Sequence, residues 1–317
     1  MRAPSRSLRN ASMNSKVQAL IFTMAATVLL APSVLISAED KMEAWRQKPL
    51  AEVTKAAGSG DADALAALGM IYWEGRQVPK DLKKGFEYTL KAAAKGQPKA
   101  MNVAGVCLAN GYGAAPDLEK AVAWYRKSAD AGYAPAMFNL AKVYMEGIGT
   151  TPDPKTAAEW LRRASEGGDS DAQMLLAGCY MKGRGVLADA REAARWYEKA
   201  ANAGNEKAQN DLGMMYLEGN GVVQNVQTGV DWLKRAAGQG NVNSQYNLGV
   251  IYEIGKGVKA DTVEALKWYM ISANNSDPQA VEDKQRLSAI MKPENIQLAA
   301  AQARQFAEKR EEPKNQP

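Results

Sequence analysis

Few residues in this 317-residue chain could do chemistry. There is no histidine. That removes Ser-His-Asp and Cys-His catalysis and imidazole metal ligation together. Cys107 and Cys179 could form a disulfide. Asp81, Asp117, Asp153, Asp189, Asn225 and Asp261 share one spacing and make a carboxylate row of the kind that tempts toward metal binding. Glu74, Glu146 and Glu218 form a sparser second row. Gly111-x-Gly113 and its four later copies look superficially like phosphate loops. Trp124, Trp160, Trp196, Trp232 and Trp268 recur at one interval and could stack a ligand.

The elements that position these residues account for most of them. Glycine recurs every 36 residues at Gly60, Gly96, Gly132, Gly168, Gly204 and Gly240, with Ser276 in the seventh place. A fixed period of that size predicts a solenoid of helix-turn-helix units. Six units follow, over 61–96, 97–132, 133–168, 169–204, 205–240 and 241–276. In each, the first helix starts after the closing glycine, with Asp61, Asp169, Asn205 and Asn241 suited to the N-cap and Pro98 at a first helical position. It stops at Gly75, Gly111, Gly147, Gly183, Gly219 or Gly255, where glycine accepts the left-handed conformation. The six-membered Asp/Asn row then falls at the N-cap of the second helix, with Glu192 and Glu264 completing capping boxes. Capping explains every member of the row, the Asn included. The Gly-x-Gly pairs read as turns, since neither a strand nor a lysine pattern supports a nucleotide loop. A tryptophan once per unit reads as inter-helix packing.

If equivalent helices of neighbouring units sit ~10 Å apart, Cys107 and Cys179 are separated by ~20 Å, as are successive members of the Glu74 row. A disulfide needs Cα atoms within about 7 Å, so no intramolecular bond is expected. The glutamates are too far apart for paired acid/base work and read as solvated rim charges. No metal and no cofactor are expected.

The ends differ from the repeats. Residues 1–38 open with Arg2, Arg6, Arg9 and Lys16, continue as an apolar run from Val17 to Ile36, and end at Ser37-Ala38. This reads as a secretory signal peptide cut after Ala38, with Met13 an alternative start. The rival reading is an uncleaved anchor, because twenty apolar residues can just span a bilayer. Without the leader's four positive charges the formal +5 becomes +1 for residues 39–317. No general attraction to nucleic acid or anionic membrane follows. Residues 39–60 resemble the second half of a unit and should cap the N-terminal end. Two helices over 277–310, the second with Ile296, Ala300, Ala303 and Phe306 on one face, should cap the other, and 311–317 reads as a disordered tail.

The unit pattern is A-x-x-x-L-G-x-x-Y-x-x-G-x-G-V followed by D-x-x-x-A-x-x-W-[YL]-x-[KR]-A-A-x-x-G, carried in one copy by Ala208, Leu212, Gly213, Tyr216, Gly219, Gly221, Val222, Trp232, Lys234, Ala236, Ala237 and Gly240. It resembles the Sel1-like repeat, a longer relative of the tetratricopeptide repeat. The resemblance covers 61–276. It implies an all-α fold, a right-handed α/α superhelix, used as an adaptor or scaffold in signalling, envelope functions and host contact. A cysteine-rich branch of that family is linked with β-lactamase activity. This chain lacks its paired cysteines and has no Ser-x-x-Lys, Ser-Asp-Asn or Lys-Thr-Gly, so an envelope enzyme is the disfavoured alternative; a membrane-anchored envelope regulator is the other.

Function should then sit where the units vary. Opposite the core stripe of the first helix, and lining the concave surface by resemblance to tetratricopeptide arrays, lie Met70, Trp73, Phe138, Met145, Met174, Met181, Met214, Leu217 and Tyr246. A solvated face should be polar, whereas this one is rich in methionine and aromatic groups that suit a peptide or helix. The rival reading is tight curvature that buries these side chains between neighbouring first helices. On the groove reading the chain is an exported scaffold, periplasmic or extracellular, holding a protein or peptide segment. Alanine at Phe138, Met181 and Tyr246 together should then abolish capture without unfolding the array.

Overall fold

The structure, a computed structural model, describes residues 41–311. The leader and residues 312–317 lie outside the described residues. Sixteen helices and no strands make up what is described. The end helices are α1 (Lys41–Arg46) and α2 (Leu50–Gly58) at the start, and α15 (Pro278–Ser288) and α16 (Pro293–Glu311) at the finish. Between them run six hairpins of a first and a second helix: α3 (Ala62–Glu74) with α4 (Leu82–Ala94), α5 (Pro98–Asn110) with α6 (Leu118–Asp130), and α7 (Ala134–Glu146) with α8 (Pro154–Glu166). Then come α9 (Ser170–Lys182) with α10 (Ala190–Asn202), α11 (Glu206–Glu218) with α12 (Val226–Gln239), and α13 (Val242–Ile254) with α14 (Thr262–Asn274). This is an α/α solenoid. It divides into two compact units, the first running from residue 41 to Ala172 with Arg184–Val186, the second holding 173–183 and 187–311.

The caps act as their spacing predicts. Asp81, Asp117, Asp153 and Asn225 each accept from the amide three residues on, and Asp189 and Asp261 accept from two amides. The reciprocal half of the capping box is not made. In all six units the N-cap amide donates instead to a carbonyl nine residues back, for example Asp189 to Tyr180 and Asp261 to Tyr252, both at 2.9 Å, closing the turn. That amide is therefore spent, and the two glutamates turn outward, Glu192 to Arg195 and Glu264 to Lys267 and the Trp268 indole.

The second glycine of each pair does more than turn the chain. Its φ is positive, and a Cβ there would strike the first residue of the preceding unit's second helix. Such an atom on Gly113 would lie 2.2 Å from the Leu82 carbonyl oxygen, on Gly185 1.9 Å from that of Pro154, and on Gly221 2.1 Å from that of Ala190. These glycines let one turn sit directly on the previous helix terminus. The first unit has Gln77 in this place, with φ 64°. Its side chain accepts from the Leu50 amide at 2.9 Å, capping α2, whose own N-cap Pro49 offers no side-chain acceptor.

In the first unit Leu68, Ile71, Tyr125, Leu140 and Leu161 are fully buried. The described part of the N-terminal half-repeat, 41–60, forms two helices rather than one, because Pro49 excludes Lys48 from helical geometry. α1 packs on α3, buries Met42 and holds Glu74 through both terminal contacts of Arg46, at 2.6 and 2.8 Å. In the second unit α16 closes the core with Ala299 and Ala303. Phe306 meets the Trp268 ring edge-on at 5.2 Å. Arg286 of α15 grips Glu253 at 2.8 and 2.9 Å.

Candidate partner-binding surface

The nine candidate residues lie on the first helices, and the structure separates them. Met214, Leu217 and Tyr246 are buried, at 2%, 0% and 5% exposure, and they leave the candidate surface. The cause is a neighbour that a two-sided helix wheel omits. A first helix faces its own second helix, but it also faces the next first helix. Leu217 points to its own second helix, where a Cβ on Gly229 would come within 2.8 Å of its Cγ. Met214 lies toward the following first helix, with its sulfur 3.6 Å from the Asn247 amide nitrogen. Tyr246 donates to the Asp283 carboxylate of α15 at 3.1 Å, and both are buried. Removing Tyr246 would take one hydrogen bond from the buried Asp283 carboxylate and empty a packed site, so an alanine there tests stability rather than capture.

The same side of the first helices carries hydrogen bonds from unit to unit. Asn139 donates to Asn102 at 3.0 Å in the first unit, and Ser244 donates to Asn210 at 2.9 Å in the second. Asn210 and Asn247 are fully buried. Neighbouring first helices are thus packed close enough to exclude water from these amides. The curvature reading holds at these positions.

Trp73 and Met145 are half-buried and covered from two sides. A Cβ on Gly85 of the own second helix would touch the Trp73 ring at 2.2 Å, and Tyr112 of the next turn meets that ring edge-on at 5.7 Å. Arg184, at the equivalent place one unit later, donates to the Met145 carbonyl at 2.6 Å. Met70 and Phe138 are half-buried, and the Lys142 ammonium stands 5.6 Å from the Phe138 ring centre. These four leave two small patches of ring and thioether surface on the first unit, Met70 with Trp73 on α3 and Phe138 with Met145 on α7. Met174 and Met181 are half-buried in the second. Such a patch can hold an apolar side chain, and its thioethers adapt to irregular shapes.

The second helices carry an aromatic row whose faces are already taken. A cation three residues on lies over each ring: Lys127 on Trp124 at 4.6 Å, Arg163 on Trp160 at 4.3 Å, Lys199 on Trp196 at 3.9 Å and Arg235 on Trp232 at 4.6 Å. Lys91 over Tyr88, at 5.0 Å, continues the row in the first repeat. The signal is visible in the sequence as a Lys or Arg three places after each of these five rings, a helical spacing that brings them together; Trp268 departs from it, with Ile271 in that place and Lys267 over its ring at 4.7 Å.

Among the described residues three carboxyls depart from their ordinary range, in two directions. The Lys120 side chain holds the Asp117 carboxyl below its ordinary range, and the Thr156 hydroxyl does so for Asp153. Burial pushes Asp169, the cap of α9, the other way. Cys107 and Cys179 are buried and form no disulfide with each other, and burial pushes the Cys107 thiol up to about 12. Among the described residues no three Cys, Asp or Glu side chains gather as metal ligands, and no helix is long and apolar enough to cross a membrane.

The Sel1 repeat family model matches six times in succession, over 62–97, 98–133, 134–169, 170–205, 206–241 and 242–277. The chain belongs to the Sel1 repeat family. Among solved structures it is similar to c5321, a protective antigen present in uropathogenic Escherichia coli strains and displaying an SLR fold. That match has 31% identity and a TM-score of 0.75, covering 83% of this chain and 57% of that one. The chain therefore spans little more than half of that antigen's length. It is also similar to a Sel1 repeat protein from Oxalobacter formigenes, at 29% identity and TM-score 0.66, covering 73% of this chain and 92% of that one. Among curated proteins none matches it. Sel1 repeat arrays are in general non-catalytic scaffolds that bind proteins.

Proposed function

We propose that this Sel1 repeat protein is an exported scaffold, periplasmic or extracellular, that holds a protein or peptide segment on the first-helix face of its first unit. The observation that carries the reading is a contrast at equivalent positions. Met70, Phe138 and Met174 stay half-buried, while Asn102, Val106, Met214 and Tyr246 at equivalent positions are buried. Aromatic and thioether surface left partly open on an otherwise closed face marks a contact site. The leader-like start over residues 1–38 supports export, as does the similarity to a protein described as a protective antigen. An uncleaved anchor with the array facing the periplasm would serve the same role.

The test replaces Met70, Phe138 and Met145 together with alanine. Chemical crosslinking in envelope extract followed by affinity capture should yield a partner with the parent chain and lose it with the variant, while the melting curve keeps its cooperativity. Capture that survives the triple substitution removes this face from consideration. N-terminal sequencing of the mature chain should begin at Glu39. An intact Met1 or Met13 start would select the anchored form.

A further inference from the structure

The N-terminal half-repeat leaves an open groove of about 540 Å³ between α2 and α4. Leu65 and Leu68 of α3 form its floor, and Tyr88 lines one wall. Two small residues of α2 open it. Thr54 and Gly58 stand where later second helices carry Leu90 and Ala94, Arg126 and Asp130, or Arg162 and Glu166. A Cβ on Gly58 would meet nothing within 4 Å.

The charge in this groove has one sign. Lys91 in the last turn of α4 and Lys95, its C-cap residue, are the charged residues that line it, and neither is paired with a carboxylate among the described residues. Lys91 is held over the Tyr88 ring. Lys95 reaches back toward Gly60, with its ammonium 3.5 Å from where a Cβ would be. Two cations thus flank an apolar floor, with no acidic group to neutralise them.

We propose that this groove docks a short acidic peptide segment of a partner protein. A carboxylate sits between Lys91 and Lys95, and an adjacent apolar side chain lies on Leu65, Leu68 and Tyr88. The charge complementarity selects an anion and the floor selects an apolar neighbour. A fatty carboxylate would need its chain enclosed, and this groove is open to solvent along its length. A nucleic-acid backbone would need a longer track of cations than two. The site lies between second helices and is independent of the first-helix face assigned above.

The test uses the full chain and a fluorescein-labelled tetrapeptide amide of alternating glutamate and leucine, followed by fluorescence anisotropy. Saturable binding that weakens with salt is expected, with none for the lysine–leucine counterpart. Gly58→Phe, which fills the groove from a position with free space, should weaken binding by about tenfold or more, as should Lys91→Glu with Lys95→Glu. The Met70, Phe138 and Met145 alanine variant should bind the probe as the parent does, which separates this site from the face above. Excess oleate should not displace the peptide. Three outcomes overturn the proposal: no saturable binding, displacement by oleate, or affinity unchanged in Gly58→Phe with an unaltered melting curve.

Discussion

Gly185→Ala tests the claim that turn glycines set the distance between units. Gly185 has φ +77°, so any L-residue there adopts the left-handed region at about 1–2 kcal/mol. The new Cβ would also lie 1.9 Å from the Pro154 carbonyl oxygen and 2.4 Å from its carbon, against the 3.0 Å below which real Cβ contacts essentially never fall. Both atoms are backbone at a helix terminus, so no side-chain rotation relieves the clash. The turn must move away from α8 by roughly 1 Å, and forcing extra volume into a packed site costs about 1–3 kcal/mol. The total is about 2–5 kcal/mol. Gly132→Ala is the control in the same unit. Its φ is +87°, with nothing within 4 Å of the added atom, so only the ~1–2 kcal/mol backbone cost applies.

Urea unfolding followed by far-UV circular dichroism measures both. The midpoint for Gly185→Ala should fall well below that for Gly132→Ala, with similar slopes. Gly257→Ala should lie between them, because its added atom would meet the side chain of Val226, at 1.9 Å, rather than backbone. Equal destabilisation at Gly185 and Gly132 would refute the reasoning. It would mean that positive φ alone requires glycine in these turns and that the units are not held by this approach.

Two further predictions follow from the same geometry. Burial raises the Cys107 thiol to about 12 and also raises the Tyr125 and Tyr197 phenols. A raised pKa means the folded state binds these protons more tightly. Their contribution is complete below the unfolded values, 9.0 for the thiol and 10.0 for the phenols, and is lost as pH rises toward the folded ones. Stability should be flat on this account up to pH ~9, then fall by about 1.4 kcal/mol per pH unit for Cys107 alone, read from urea midpoints between pH 8 and 11. Stability that stays level to pH 11 would contradict the burial of these groups. Gln77→Ala keeps a positive φ but loses the cap on α2, and should cost about 1 kcal/mol. Gln77→Gly loses the cap yet releases the backbone, and should come back close to the parent. Identical midpoints for the two variants would show that Gln77 is not a cap.

What the sequence made legible tracks the range of each interaction. The Asp/Asn row and the glycine helix stops act within three or four residues of themselves, so their roles could be read directly, and the structure places each in that role. The second glycine of each pair was legible as a turn only, because its reason lies 31 residues back, at Leu82 for Gly113 and at Pro154 for Gly185. The capping boxes of Glu192 and Glu264 failed for a similar reason. Their partner amide is taken by a carbonyl on the preceding helix, which a local motif does not contain. The candidate surface was misjudged where variability was equated with freedom. Trp73 and Leu217 vary from the residues at their position in other units, but each large side chain stands opposite a glycine, Gly85 and Gly229, where the units with Ala109, Met145 and Met181 have Ala121, Ala157 and Ala193. In these two units the large side chain is matched by a glycine across the hairpin. That pairing is written in the sequence at a fixed offset of 12, and it distinguishes repeat positions that vary because they pack from those that vary because they face outward. Met70, Phe138 and Met145, none of which is a near neighbour of a second-helix glycine, are the first-unit residues on which recognition can act.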